Sequence, residues 1–275
     1  MIVGNKNIND KLFFQLIKDT KRKKELLGID DSFVSSEMAN VVSRNRKYLE
    51  FLSSAADLEK IKKSGQYRQI VKETRAILRK SVGVFIRIDK TKDFSRILLM
   101  HESTKERLPV YSEIYQRIFH ITGNPKSILD LGCGLNPLSY KYMKIKPAYC
   151  AIDISSNITN VVNDFFSKNK IRGKALIMNL REIRTKKLPL PKADVCFMFK
   201  LLDSIEIEKG HKLAEQLIKS VSCKWLAISF STKTLSGKKM RHPYRGWIEQ
   251  LCRRLGYFYE ILETENEVFY LVRKN

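Results

Sequence analysis

The sequence has no apolar run long enough to span a membrane. Its opening residues, MIVGNKNIND, lack the charged-then-apolar layout of a secretory signal, so none is expected. There is no Cys-x-x-Cys pair. The five cysteines, Cys133, Cys150, Cys196, Cys223 and Cys252, lie far apart, which argues against a zinc site or a redox motif; no metal is expected. Several stand inside apolar runs, where cysteine behaves as a small hydrophobe, a pattern of a reducing, cytoplasmic compartment. Acids are scarce. Only 29 Asp+Glu face 52 Lys+Arg, a formal net charge of +23. That excess implies a polyanionic partner, nucleic acid or an anionic membrane face, against the plainer reading of a generally basic composition. What is present in quantity is apolar material: 43% of 275 residues, enough for one large core or two modest ones.

Residues 1–100 contain no glycine-rich strand pattern and read as helical. Asp10 is placed to cap a helix with Leu12, Phe13, Leu16 and Ile17 on its apolar face. Gly28 and Asp30-Asp31-Ser32 read as a stop and a new start. Further helices are expected over about 33–52, 56–63, 67–79 and 94–100, and 82–88 is ambiguous between helix and strand. The segment holds 22 Lys+Arg against 12 Asp+Glu. Lys18, Lys21, Arg22, Lys23 and Lys24 cluster on or after the first helix, and Tyr48 and Tyr67 lie among the cationic faces. The expectation is an all-helical, basic module that docks on RNA phosphates; any single lysine is as readily a solvated surface residue.

From Ser127 onward, short apolar runs alternate with helical patterns, which predicts an α/β domain with a parallel sheet over 101–275. Strands are expected at Ser127–Leu131, Tyr149–Ile152, Ala175–Met178, Ala193–Phe199 and Lys224–Phe230, with a closing hairpin of Phe258–Leu262 and Glu267–Val272. Helices fall near Leu138–Met143, Asn157–Asn169, Gly210–Ser220 and Arg245–Leu255. The first strand runs into Gly132-Cys133-Gly134, a turn that lets backbone approach a nucleotide-like ligand. The spacing is not GxGxxG, and Asn136-Pro137 suits a helix start better than a pyrophosphate cradle, which favours S-adenosylmethionine over NAD. Asp153 ends the second strand, where an acid accepts the ribose hydroxyls. Asn179 ends the third, within reach of adenine. Phe199 and Lys200 end the fourth, beside the reaction centre.

Between the two parts lies HESTKERL, His101–Leu108. Its Arg107 suits either a ligand carboxylate or an internal salt bridge. The loop after the fifth strand packs Lys233, Lys238, Lys239, Arg241 and Arg245 around Tyr244 and Trp247, a mixture that fits RNA. Trp247 itself is expected in the core.

Three segments in order resemble the aminoglycoside-resistance 16S ribosomal RNA methyltransferases that modify guanine N7. They are HESTKERL, LDLGCGLNPL at Leu129–Leu138, and ISFSTKTLSGKKM at Ile228–Met240. The chain departs from that pattern at Leu202-Asp203, Ser229-Phe230-Ser231 and Lys239-Met240. The resemblance implies a Rossmann-like class I S-adenosylmethionine methyltransferase domain behind the helical module. It implies cofactor contacts at His101, Arg107, Gly132, Cys133, Gly134, Asp153, Ile154, Asn179, Leu180, Phe199, Lys200 and Leu201. It further implies a monomer acting on ribosomal RNA in the 30S subunit, with no membrane involved. Methylation of another RNA base, or a non-catalytic ribosome-binding role, are the alternatives.

Overall fold

Asn9, one residue ahead of the expected cap, opens the first long helix. Its side-chain oxygen accepts from the N–H groups of Lys11 (2.9 Å) and Leu12 (3.3 Å), a cap contributing about 1 kcal/mol. The computed structural model describes residues 1–54, 58–82, 93–206, 210–234 and 237–274. The chain divides into two compact units, Met1–Arg87 and Ile88–Asn275.

The first unit begins with a small antiparallel ladder, β1 (Ile2–Val3) and β2 (Lys6–Asn7). The module is therefore not all-helical. Gly4-Asn5 makes the two-residue turn, with Gly4 at φ +60. Helices α1 (Asp10–Thr20), α2 (Asp31–Ser43), α3 (Arg46–Ser53), α4 (Leu58–Lys62) and α5 (Gly65–Val82) follow. The single helix expected over 33–52 is broken at Asn45. That residue is extended and its side chain caps α3 through Lys47 N–H at 3.0 Å; asparagine favours such local bonds over helix continuation. The core takes Leu12, Phe13, Leu16 and Ile17 from α1 and Phe33, Val34, Met38, Val41 and Val42 from α2, with Ile70 and Leu78 of α5 also buried. Tyr48 and Tyr67, read from sequence as part of a cationic surface, are buried. Their hydroxyls donate to Glu73 (2.8 Å) and Asp19 (2.6 Å). The ambiguous 82–88 segment lies, after residue 82, outside the described residues.

The second unit starts with α6 (Phe94–Leu98), α7 (Glu102–Arg107) and α8 (Tyr111–Thr122). Helix α8 was not among the expected elements, although Tyr111, Ile114, Tyr115, Ile118 and Phe119 recur at helical spacing and all are buried. The sheet has seven strands: β3 (Ser127–Leu131), β4 (Ala148–Asp153), β5 (Gly173–Ile177), β6 (Ala193–Phe199), β7 (Cys223–Ser231), β8 (Phe258–Glu263) and β9 (Glu267–Arg273). Their order is β5-β4-β3-β6-β7-β9-β8. Pairings from β5 through β7 are parallel, and β9 is antiparallel to both β7 and β8. Between strands lie α9 (Ser156–Lys168), α10 (Leu202–Ile205), α11 (Lys212–Ser220) and α12 (Gly246–Leu255), with 3-10 turns at Asn136–Met143 and Leu180–Arg184. Among the described residues no helix is long and apolar enough to cross a membrane.

Candidate functional site

Strand β3 lies between β4 and β6. The chain therefore winds outward in both directions from β3, and this leaves a crevice beyond the carboxyl ends of β3 and β6. The Gly132-Cys133-Gly134 turn follows β3, and Lys200-Leu201 follow β6. The two meet closely. A Cβ on Gly132 would stand 2.5 Å from Leu201 Cδ1, and Gly132 sits at φ +61. Both the space and the left-handed backbone demand glycine there. Gly134, at φ +49, has no atom within 4 Å of where a Cβ would stand, so its flank is open.

Asp153 holds this turn. One carboxylate oxygen accepts from Gly134 N–H (2.9 Å) and the other from Ser155 N–H (2.9 Å). Burial pushes its pKa up, opposed by the N–H groups of Ser155, Gly134 and Ile154. Beneath the turn, Asp130 of β3 accepts from Asn136 Nδ2 (2.9 Å) and the Tyr149 hydroxyl (2.6 Å). Asn136 in turn accepts from the Tyr111 hydroxyl at 3.1 Å. Burial lifts the Asp130 carboxyl to about 6 even though the Asn136 and Tyr149 donors pull against it.

A second polar chain reaches the same place from the other side. Arg107, 3% exposed, donates through Nε (2.7 Å) and Nη2 (3.0 Å) to the two oxygens of Glu267, which is 1% exposed. Ser229 Oγ donates to Glu267 at 2.7 Å. Lys200 Nζ lies 2.6 Å from Glu106 and 3.3 Å from Glu267. Lys200 also holds φ +53, an uncommon conformation for a side chain with a Cβ, while its N–H is tied to the Ser229 carbonyl at 3.0 Å. Arg107 and Tyr111 also influence each other electrostatically, which couples the two networks. Burial alone would favour loss of the Arg107 proton; the Glu267 charge more than offsets this and holds the guanidinium pKa above its ordinary value. The guanidinium also lies over the Phe199 ring, 5.0 Å from its centroid. His101, its Nδ1 2.7 Å from Ser103 Oγ, is pushed down to about 4 by burial and then by Arg107 and Lys200. It is neutral at pH 7 and adds no third positive charge.

The structure thus realises the internal salt bridge as the partner of Arg107. Around the turn it gathers Gly132, Cys133, Gly134, Asp153 and Leu201, with His101, Arg107, Phe199 and Lys200 on the charged chain. Cys133 is buried and its N–H donates to Ile152. Ile154 is half-buried beyond β4, and Leu180 is in the core. Asn179 is buried with its side-chain oxygen accepting from Arg181 N–H at 3.1 Å, so it caps the 3-10 turn. Sequence reasoning gave no role to Asp130, Ser229, Tyr111 or Glu267, and read Glu106 as support for the first turn of a helix where the structure pairs it with Lys200. Only Glu267 carried a signal: a carboxylate at the head of the otherwise apolar run EVFYLV.

The cationic candidates separate into free and engaged groups. In the first unit Lys18, Lys23 and Lys24 are exposed, Arg22 is exposed but reaches Asp19 at 3.3 Å, and Lys21 pairs with Asp31. In the loop after β7, Lys238, Lys239 and Arg241 are exposed and Lys233 reaches Glu265 at 3.3 Å. Arg245 is a clamp: it pairs with Asp203 at 3.1 Å, donates to the Pro243 carbonyl and covers the Phe230 ring. Trp247 is half-buried and stacks on His211 at 4.1 Å.

Comparison with known proteins places this geometry. The family described as Ribosomal RNA methyltransferase (FmrO) matches residues 36–271. A 16S rRNA (guanine(1405)-N(7))-methyltransferase of Micromonospora echinospora is 30% identical over 183 residues, 65% of this chain and 65% of that protein. A protein of the same name from Serratia marcescens is 28% identical over 222 residues, 76% of this chain and 84% of its own length. The chain spans just under two thirds of the length of the first curated relatives it matches. Among solved structures, 16S rRNA methyltransferase RmtF in complex with S-adenosyl-L-homocysteine superposes with a TM-score of 0.78 at 21% identity. That match covers 97% of this chain and 100% of RmtF. The 16S rRNA methylase ArmA gives a TM-score of 0.52 at 28% identity, covering 66% of this chain and 91% of that one. The fold is that of a class I methyltransferase with a mixed central sheet.

Proposed function

The chain belongs to the ribosomal RNA methyltransferase (FmrO) family, and from that premise we propose that it methylates N7 of a guanine in 16S ribosomal RNA, using S-adenosylmethionine. The observation that carries this is the family match over residues 36–271, which takes in the whole of the crevice just described. The relatives' guanine-N7 activity supplies the target atom by analogy, and the S-adenosyl-L-homocysteine in the RmtF structure supplies the cofactor class. The substrate is proposed to be the assembled 30S particle and the working form a monomer, with residues 1–100 and the loop after β7 as the RNA-contacting parts.

The residues fit that cofactor. Gly134 presents backbone to open space, and the Asp153 oxygens each keep a lone pair beyond the N–H groups they hold, free for ribose hydroxyls. Arg107 has N–H groups not used by Glu267, suited to a carboxylate. Ile154, Asn179 and Leu180 fall on the adenine side by the same assignment, and Phe199 and Lys200 on the side of the target base. S-adenosylmethionine supplies an electrophilic methyl group when bound. Guanine N7 presents an in-plane lone pair and carries no proton. No general base is required, and the crevice holds no His–carboxylate pair among the described residues. The work left to the protein is to hold the reacting atoms in line at about 3 Å, and to offset a few kcal/mol for unstacking the base.

The test is mass spectrometry with primer extension on 30S subunits treated with protein and cofactor. One methyl group on a 16S guanine, at N7, is the expected result; no transfer would overturn the proposal. The exposed cations give a separate expectation. Neutralising Lys18, Arg22, Lys23 and Lys24 together should weaken subunit binding and lower the slope of log affinity against log salt by about 1 for each phosphate no longer neutralised. Filter binding across a salt series measures it, and an unaltered slope would put the docking surface elsewhere.

A further inference from the structure

The first helix of the chain is amphipathic, with one exception on its wet side. Leu12, Phe13, Leu16 and Ile17 of α1 are buried, yet Phe14 is 64% exposed. A lone exposed ring needs no explanation. Its neighbours are what distinguish it. Lys11 and Lys18 lie at i−3 and i+4 from Phe14, the spacing that shares a helix face, and Arg22 follows in the turn just past the end of the helix. Lys11 and Lys18 are exposed and, among the described residues, neither makes an ion pair; the Arg22 side chain is 75% exposed and reaches Asp19 at 3.3 Å. Along the axis, Lys11 and Lys18 stand about 10 Å apart, with the ring between them.

The stripe runs into a cavity of about 330 Å³ whose lining includes Gln15 and Asp19 from α1, Arg22 just beyond it, Lys62 from α4, and Arg68 and Arg75 from α5. Four cations there face one carboxylate, Asp19, which is shared by the Tyr67 hydroxyl at 2.6 Å and Arg22 at 3.3 Å, while Lys62 also meets Glu59 at 2.9 Å. The face is thus strongly positive, carries a single aromatic plane, and has no broad apolar area that a lipid or a protein core would need.

We propose that this face of α1 is an RNA contact in which Phe14 stacks on an unpaired base while Lys11, Lys18 and Arg22 meet the flanking phosphates. The assignment rests on the proposed 16S substrate and names the part of the first unit that engages it. Rings flanked by cations suit single-stranded or splayed RNA, because every base has a π face and every nucleotide a phosphate.

The experiment compares Phe14→Ala, Phe14→Leu and Phe14→Trp in the full chain, with circular dichroism confirming the fold. Binding to 30S subunits is read by filter retention, cofactor affinity by calorimetry, and methyl transfer by KM and kcat. Loss of the ring should weaken subunit binding and raise KM about tenfold in both the Ala and Leu variants. Trp should restore both, and cofactor affinity should not move. Full binding by the Ala variant overturns the proposal. Full binding by the Leu variant also overturns it, since any apolar side chain would then serve, as on a protein surface. The two readings fail separately. Methyl transfer indifferent to Phe14 removes this contact and keeps the reaction; Phe14-dependent subunit binding without methyl transfer removes the reaction and keeps the contact.

Discussion

Glu267→Ala is expected to lower the unfolding free energy by about 3–5 kcal/mol, because it strands a buried guanidinium. Arg107 is 3% exposed and finds its counter-charge 160 residues away. With Glu267 gone, Ser229 Oγ and Lys200 Nζ lose a partner too. Lys200 keeps Glu106 at 2.6 Å, so its charge stays paired. The loss therefore falls mainly on Arg107. Urea denaturation measures it: the midpoint should drop with an unchanged slope. A loss below about 1 kcal/mol would mean that water reaches Arg107, as at an exposed pair. A paired replacement, Arg107→Met with Glu267→Leu, should recover much of the stability, because both desolvation costs vanish together. That variant should still lose cofactor affinity if Arg107 holds the cofactor carboxylate. This separates the stabilising role of the pair from its binding role.

The second large effect is expected at Asp153. Asp153→Ala should weaken S-adenosylmethionine binding at least about a hundredfold, since two charge-assisted hydrogen bonds to the ribose would be lost at about 1.5–3 kcal/mol each. Calorimetry reads this directly, and unchanged affinity would remove the cofactor assignment. The structure adds a second consequence. The carboxylate also holds the N–H groups of Gly134 and Ser155, so the variant should lose some stability as well, about 1–3 kcal/mol for each donor left unpaired. Affinity must therefore be measured below the variant's own unfolding temperature. The control is a variant equally destabilised at a distance from the turn, which should keep its affinity.

The sheet was readable in advance because its signals are local. The expected strands Ser127–Leu131 and Ala193–Phe199 match β3 and β6 to the residue, and the others differ only at their ends. Each is a short apolar run closed by turn residues. The Gly-Cys-Gly turn and Asp153 were legible for the same reason: both stand at the ends of such runs. What could not be read was pairing across distance. HESTKERL offers Arg107 to either a ligand or a carboxylate, and nothing in its neighbourhood names Glu267. Asp130 fell inside the expected strand Ser127–Leu131, but nothing near it named Asn136 and Tyr149, which hold it. Phe13 and Phe14 are identical letters side by side. Helical periodicity alone told them apart, placing Phe13 on the apolar face with Leu12, Leu16 and Ile17, and it is Phe13 that is buried. Tyr48 and Tyr67 show the converse, since hydroxyl partners at Glu73 and Asp19 took them out of the surface on which the sequence had placed them.

The distribution of sulfur gives the two units different chemical visibility. All five cysteines belong to the Ile88–Asn275 unit, and the Met1–Arg87 unit has none. Cys133, Cys196 and Cys252 are buried and Cys150 and Cys223 half-buried. Burial raises every one of these thiols, Cys223 to about 12 and Cys252 to about 11. Thiolate, the reactive form, is thus scarce in the folded protein. Alkylation becomes a clock on the opening of the second unit, since the first unit carries no thiol to report its unfolding. Cys133 sits in the turn itself, so its labelling rate would register how tightly that turn is closed, with no probe introduced.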